Sequence, residues 1–163
     1  MSEQELLAEM LDKSRDLTKY YLSLLKSVNP IEKHIVNNHS LNSIYWIVAH
    51  LIWAEDELIN QCTGHESVLP AFIERYHLGA TSDLHEENPD FKALLALMNE
   101  VHEKCKQTIL NMSTETFYAP NPKGEKFGQD DSNKMLIMHA IRHESVHTGN
   151  LALIAKINNI KTI

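Results

Sequence analysis

The chain has 163 residues, of which 43% are apolar, enough for one domain around a single core. With 22 acidic against 15 basic residues the formal charge is −7, so no sequence-wide basic surface exists to neutralise phosphates and nucleic acid is excluded as a main partner. The opening MSEQELLAEM lacks a basic segment followed by an apolar run, and no stretch approaches the ~20 consecutive apolar residues that span a bilayer. Two cysteines, Cys62 and Cys105, are too few for a disulfide framework and suit a reducing compartment. The expectation is a single domain over 1–163, cytoplasmic, with no membrane partner. Histidine is the unusual component, its 10 residues outnumbering 4 Phe and 5 Tyr together.

Turn-forming residues concentrate at Pro30, Gly64 to Pro70, Gly79, Pro89 and Pro120 to Gly128, leaving four long segments. The first, from about Glu3 to Val28, carries Leu7, Leu11, Tyr21, Leu25 and Val28 with Leu6, Met10, Leu17 and Leu24 at spacings of three and four, the period of a helix. The second, from Ser40 as N-cap to Cys62, has Leu41, Ile44, Ile47, Val48, Leu51 and Leu58 on one stripe. The link from Gly64 to Glu87 is long enough to cross the molecule and to hold a short helix around Ala71 to Tyr76. The third opens at Asn88-Pro89 and runs through Phe91, Leu94, Met98, Val101, Cys105 and Ile109. The link from Ser113 to Gln129 has room for a small hairpin or flap. The fourth follows Asp130-Asp131-Ser132 and runs through Leu136, Ala140, Leu151, Ile154 and Ile157. No run of period-two alternation marks a strand. Four helices of this length predict an all-α four-helix bundle, with a long link between the second and third.

Three imidazoles, His139, His143 and His147, follow one another at steps of four in the fourth segment. Each step turns only about 40° around a helix, so His143 and His147 project from one face, one turn apart. They share that stripe with Leu136, Ala140, Leu151 and Ile154, which points them inward, where an unpartnered imidazole is costly and a metal would satisfy it. His50, mid-helix in the second segment, is the third candidate ligand, with Trp46, Trp53 and Glu57 on its face. A single internal His is more often a hydrogen-bonded core residue than a ligand, and the two tryptophans read first as packing. His139 reads as a pocket residue rather than a ligand, His102 as a satisfied or partly exposed one, and His34, His39, His65, His77 and His85 as surface. Gly149 inside the helix reads as the site of a close helix contact.

His143-Glu144-Ser-Val-His147 also matches H-E-x-x-H, the zincin peptidase pattern in which the glutamate is the general base. The zincin arrangement takes its third ligand downstream, yet no Asp, Glu or His follows His147. A third ligand must come from upstream, which favours His50 and weakens the peptidase reading. Glu144 lies about 100° round the helix from His143, so it is placed either to bond a ligand imidazole or to face solvent.

The Trp46-x-x-x-His50-Leu-x-x-x-Glu55 segment and the late His143-x-x-x-His147-x-Gly149 segment, with His139 one turn earlier, resemble the DinB-like superfamily, which includes YfiT-type metal hydrolases. The resemblance covers essentially the whole chain. It implies an up-down-down-up arrangement, often a homodimer, and a divalent metal held by His50, His143 and His147. It also implies transferase or isomerase chemistry with low-molecular-weight thiols such as bacillithiol, mycothiol or glutathione. This chain departs in having Thr148-Gly149-Asn150 where members commonly carry Arg-Gly-Gln.

Three neutral imidazoles leave a zinc-like ion an open position, the mark of catalytic rather than structural sites. The expected activity is that of a metal-dependent thiol S-transferase or hydrolase acting on a small molecule, with Glu144 and His139 as its catalytic groups. The expected cofactor is a divalent ion, zinc or nickel first and iron or manganese next, although imidazole ligands by themselves suit several ions alike. The competing expectations are a non-catalytic dimeric bundle of stress-related role and the zincin-type peptidase.

Overall fold

The computed structural model describes residues 1–80 and 88–162. Ser2 opens α1 (Glu3–Leu24) with a capping box, its hydroxyl accepting from the Glu5 amide while the Glu5 carboxylate accepts from the Ser2 amide. The buried face of α1 is Leu7, Ala8, Leu11, Arg15, Thr18 and Tyr21. Leu6, Met10 and Leu17, expected on that stripe, lie on the outer side and remain about two-fifths exposed.

The first link carries a hairpin that the sequence pattern did not announce. β1 (Ile35–Val36) pairs antiparallel with β2 (His39–Ser40), and Asn37 and Asn38 form the two-residue turn at φ 49° and 64°. Asparagine tolerates this left-handed region, which type I′ turns require. Ser40 is therefore a strand residue, and the cap of α2 (Ile44–Ile59) is Ser43, whose hydroxyl accepts from the Trp46 amide. Thirteen of the sixteen residues of α2 are buried, so it is the central helix.

Short 3₁₀ turns follow at Gln61–Thr63 and Ala71–Tyr76, the second where a short helix was expected. Asp56, wholly buried, holds this link to α2 by accepting from Asn60, Gln61, Ser67 and the Val68 amide. α3 (Phe91–Asn111) is capped by Asp90 rather than by Asn88, and the Pro89 carbonyl instead accepts from the Tyr45 hydroxyl at 2.9 Å. The third link contains a short helix, α4 (Thr114–Tyr118), then a loop closed by bridges Pro120↔Ser132 and Phe127↔Asp130. Buried Asn121 organises that loop, donating to the Glu125 and Asp131 carbonyls and accepting from the Glu125 amide. α5 (Asn133–Ile157) starts at Ser132 as expected.

Among the described residues the fold is all-α apart from the hairpin and the two bridges. Among the long helices, α1 packs on α3 and α5, and α2 packs on α3 and α5. Side-chain pairs rise together along α1 and α5, from Glu3–Lys134 through Ser14–Ser145 to Thr18–Thr148. They also rise together along α2 and α3, from Glu55–His102 to Asn60–Thr108. Between α2 and α5 they run in opposite order, with His50 on His143 and Trp46 on His147.

Candidate metal centre

The α2–α5 contact brings His50, His143 and His147 together, with one possible ligand atom of each lying within 4.8 Å of the others. His50 is 2% exposed, and its orientation is set on both sides of the ring. Nδ1–H donates to the Tyr76 carbonyl at 2.6 Å, which fixes the tautomer and leaves Nε2 as a lone pair. Trp46 stacks on the ring with centroids 4.6 Å apart and planes 17° apart, and Trp53 stacks at 5.7 Å and 21°.

That Nε2 lone pair faces the Nε2 of His143 at 3.3 Å. Two zinc–imidazole bonds of about 2.0–2.1 Å at a tetrahedral angle put their nitrogens about 3.3 Å apart, so the pair already has the spacing of ligands on one ion. Burial, reinforced by the neighbouring imidazoles, pushes His143 down to about 3 and His147 down to about 4. Burial also lowers His50. The rings are therefore neutral near pH 7, which is the ligating form. The donor set fits a divalent ion.

His139 is not a fourth member. It stacks on Phe127 at 3.7 Å, accepts from Arg142 at Nδ1 (2.6 Å), and its centroid is 5.9 Å from that of His143. It lines a cavity of about 250 Å³ beside the triad, together with His50, His143, Trp53, Glu57 and Phe127. Leu78 from the second link and Glu125 from the third also line it, whereas the 81–87 part of the second link lies outside the described residues, as does His85. Cys62 lies in the same cavity. It is not poised as a nucleophile, because burial and the Glu57 charge push its thiol up to about 12. Glu57 pairs with Lys123 at 2.5 Å.

Glu144 is turned away from the triad. Its carboxylate accepts from Arg15 Nε at 2.7 Å and from the Thr18 hydroxyl at 2.8 Å, inside the α1–α5 contact and only 3% exposed. The general-base position expected for it in either hydrolase or peptidase chemistry is thus corrected: the 100° offset from His143 aims it at α1 rather than at a ligand or at solvent.

The buried ion network around Arg15 was missed by the sequence reading. Arg15, 1% exposed, also donates to Glu55 Oε2 at 2.8 Å and to the Met98 carbonyl at 3.2 Å. Glu55 Oε1 then faces His102 Nδ1 at 2.7 Å, and His102 Nε2 faces Asp12 at 2.9 Å. The available signal was Arg15 itself, a charge four residues beyond Leu11 on the buried stripe of α1. Asp12, His102 and Glu103 also lie close enough to hold an ion. However, the Lys106 ammonium already sits on Asp12 and Glu103, at 3.2 and 3.0 Å. His34, read as surface, is in fact 7% exposed. Gly149, read as a close contact, has nothing within 4 Å of where a Cβ would stand.

The chain belongs to the DinB superfamily, which it matches over residues 10–151. A crystal structure of a conserved protein from Enterococcus faecalis superposes with a TM-score of 0.69, covering 94% of this chain and 95% of that one at 12% identity. At that identity the likeness is one of fold. No curated protein matches.

Proposed function

We propose that this protein is a divalent-metal-dependent enzyme acting on a small molecule, a thiol S-transferase or a hydrolase, with His50, His143 and His147 as the ligands. The observation that carries the reading is the 3.3 Å approach of two neutral Nε2 atoms, with His50 already locked by the Tyr76 carbonyl. Zinc or nickel is the ion of choice, ahead of iron or manganese. A bound ion supplies Lewis acidity, which makes a thiol or water nucleophilic near neutral pH. The chain's own part is to hold the triad neutral, to shelter it between Trp46 and Trp53, and to present the cavity. His139 is assigned to proton transfer there, because Arg142 donates to its Nδ1 and the ring proton therefore sits on Nε2. With Glu144 committed to Arg15, the peptidase reading lacks its base.

The same reading takes the long helices as an up-down-down-up bundle, supported by the order of the side-chain pairs along α1, α5, α2 and α3. It also takes the protein as a homodimer. Exposed Leu6, Met10 and Leu17 on α1 with Met138, Val146 and Leu153 on α5 support a shared apolar face, as does the open space over Gly149. The cytoplasm remains the proposed location. No helix among the described residues is long and apolar enough to cross a membrane.

Metal content by elemental mass spectrometry tests the centre on wild type, His50→Ala and His143→Ala/His147→Ala. About one equivalent per chain, lost in both variants, is expected. Loaded wild type is then to be assayed for consumption of a thiol with an electrophile. A wild type that takes up no metal after reloading refutes the reading.

A further inference from the structure

The cavity beside the triad has a direction. His50 and His143 wall one end, and along α2 it continues over Trp53, Ala54, Glu57 and Leu58, which follow His50 at the steps of one helical face. Leu78 and Phe127 close it from the two links. Anything ligated at the triad extends into this space.

The end remote from the triad is acidic. Glu57 stands seven residues beyond His50, about 10 Å along the helix axis, and Glu125 joins it from the third link. The Cys62 thiol, itself in the lining, donates to Glu57 at 3.6 Å. Among the described residues, Lys123 pairs with Glu57 at 2.5 Å, on a side chain that is still 40% exposed. Arg142 is engaged at the His139 end, donating to that ring and lying 5.8 Å from the Phe127 centroid.

Building on the metal-centre reading, we propose that the molecule this site accepts is cationic at its far end. It has a metal-ligating thiol or hydroxyl head, an apolar body about two helical turns long, and an ammonium that Glu57 and Glu125 receive in place of Lys123. Lys123 marks the position that the ligand's ammonium takes. It is displaced readily, because a part-exposed ion pair is held weakly. Trp53, Leu58, Leu78 and Phe127 give the stretch between the triad and the carboxylates an apolar lining that suits an uncharged ligand body. A ligand ending in a carboxylate meets the opposite situation, since the Lys123 ammonium is already committed and the excess charge is negative.

Calorimetric titration of the zinc-loaded full-length protein with aminohexanethiol, hexanethiol and mercaptohexanoic acid tests this. The aminothiol should bind about tenfold or more tightly than the neutral thiol, and the acid most weakly. Glu57→Gln should erase the preference while zinc stoichiometry stays unchanged, and Lys123→Ala, by removing the competitor, should strengthen it. Equal affinities for the amino and neutral thiols, or tightest binding of the acid, on protein that does hold zinc would overturn the cationic assignment alone. Failure of the wild type to take up zinc would overturn the metal centre and this assignment with it.

Discussion

Replacing Arg15 by Met removes the guanidinium and keeps the apolar volume of its stem, leaving two carboxylates, Glu55 and Glu144, buried at 4% and 3% exposure. The bonds lost are those to Glu144 at 2.7 and 3.3 Å, to Glu55 at 2.8 Å and to the Met98 carbonyl at 3.2 Å. In the wild type Arg15 bonds both carboxylates, and His102 bonds Glu55 alone. In the variant only His102 remains, so one buried charge is uncompensated, at a cost of about 3–5 kcal/mol. For a domain whose total stability is about 5–15 kcal/mol, that moves the urea midpoint far down and lowers Tm by about 10 °C.

The pH dependence of the difference makes the test specific. Burial pushes Glu55 up, but Arg15 and His102 outweigh it and hold its folded pKa below the usual carboxylate value. Its stabilising contribution is therefore present above the unfolded pKa of about 4.3 and is lost as pH falls through the folded value. Without Arg15 the Glu55 carboxylate loses the larger of the two charges that offset its burial, so burial pushes it up and acidification relieves the variant. The gap between wild type and variant should narrow as pH is lowered from about 7 to 5, and Glu144→Gln in the Arg15→Met background should recover part of the loss. Urea unfolding of the three proteins at several pH values measures this. A loss under about 1 kcal/mol, or a gap that widens in acid, would show that the network behaves as a surface ion pair and refute the argument.

Three further outcomes are expected. His102 is lowered by burial but raised overall by Glu55, so its contribution is fully present below the unfolded pKa of about 6.5 and fades as pH rises through its folded value; His102→Gln should flatten that part of the stability profile. The metal-free triad behaves oppositely: with His143 near 3 and His147 near 4, stability should fall as pH drops below about 6.5, and His143→Gln/His147→Gln should show a shallower decline. Gly149→Ala, which meets open space within the chain, should raise stability by about 1 kcal/mol in dilute denaturation measurements, and a weaker dimer in sedimentation would place Gly149 at the shared face.

What the linear chain determined about this protein is whatever repeats with the period of a helix. The steps of four among His139, His143 and His147, the inward stripe that carries them and the Ser132 start of α5 are local facts, set by backbone geometry and capping chemistry. The match of His50 to that pair was also legible, because the residue interrupts an apolar helix. The ends of elements were less so. Ser40 was the expected cap of α2, but the Asn37-Asn38 turn claims it for a strand and Ser43 caps the helix instead.

Tertiary structure alone decided where side chains off the main stripe go. Glu144 is one residue from a candidate ligand, yet it faces α1, because a turn of about 100° separates neighbours on a helix and a buried guanidinium waits there. Cys62 and Glu57 enter the cavity only because loops distant in sequence fold over α2 and bring Lys123 and Glu125 to its far end. The neutrality of the histidines is likewise a property of burial, not of spacing. A sequence pattern specifies which face a residue occupies; what that face meets depends on contacts made across the whole chain.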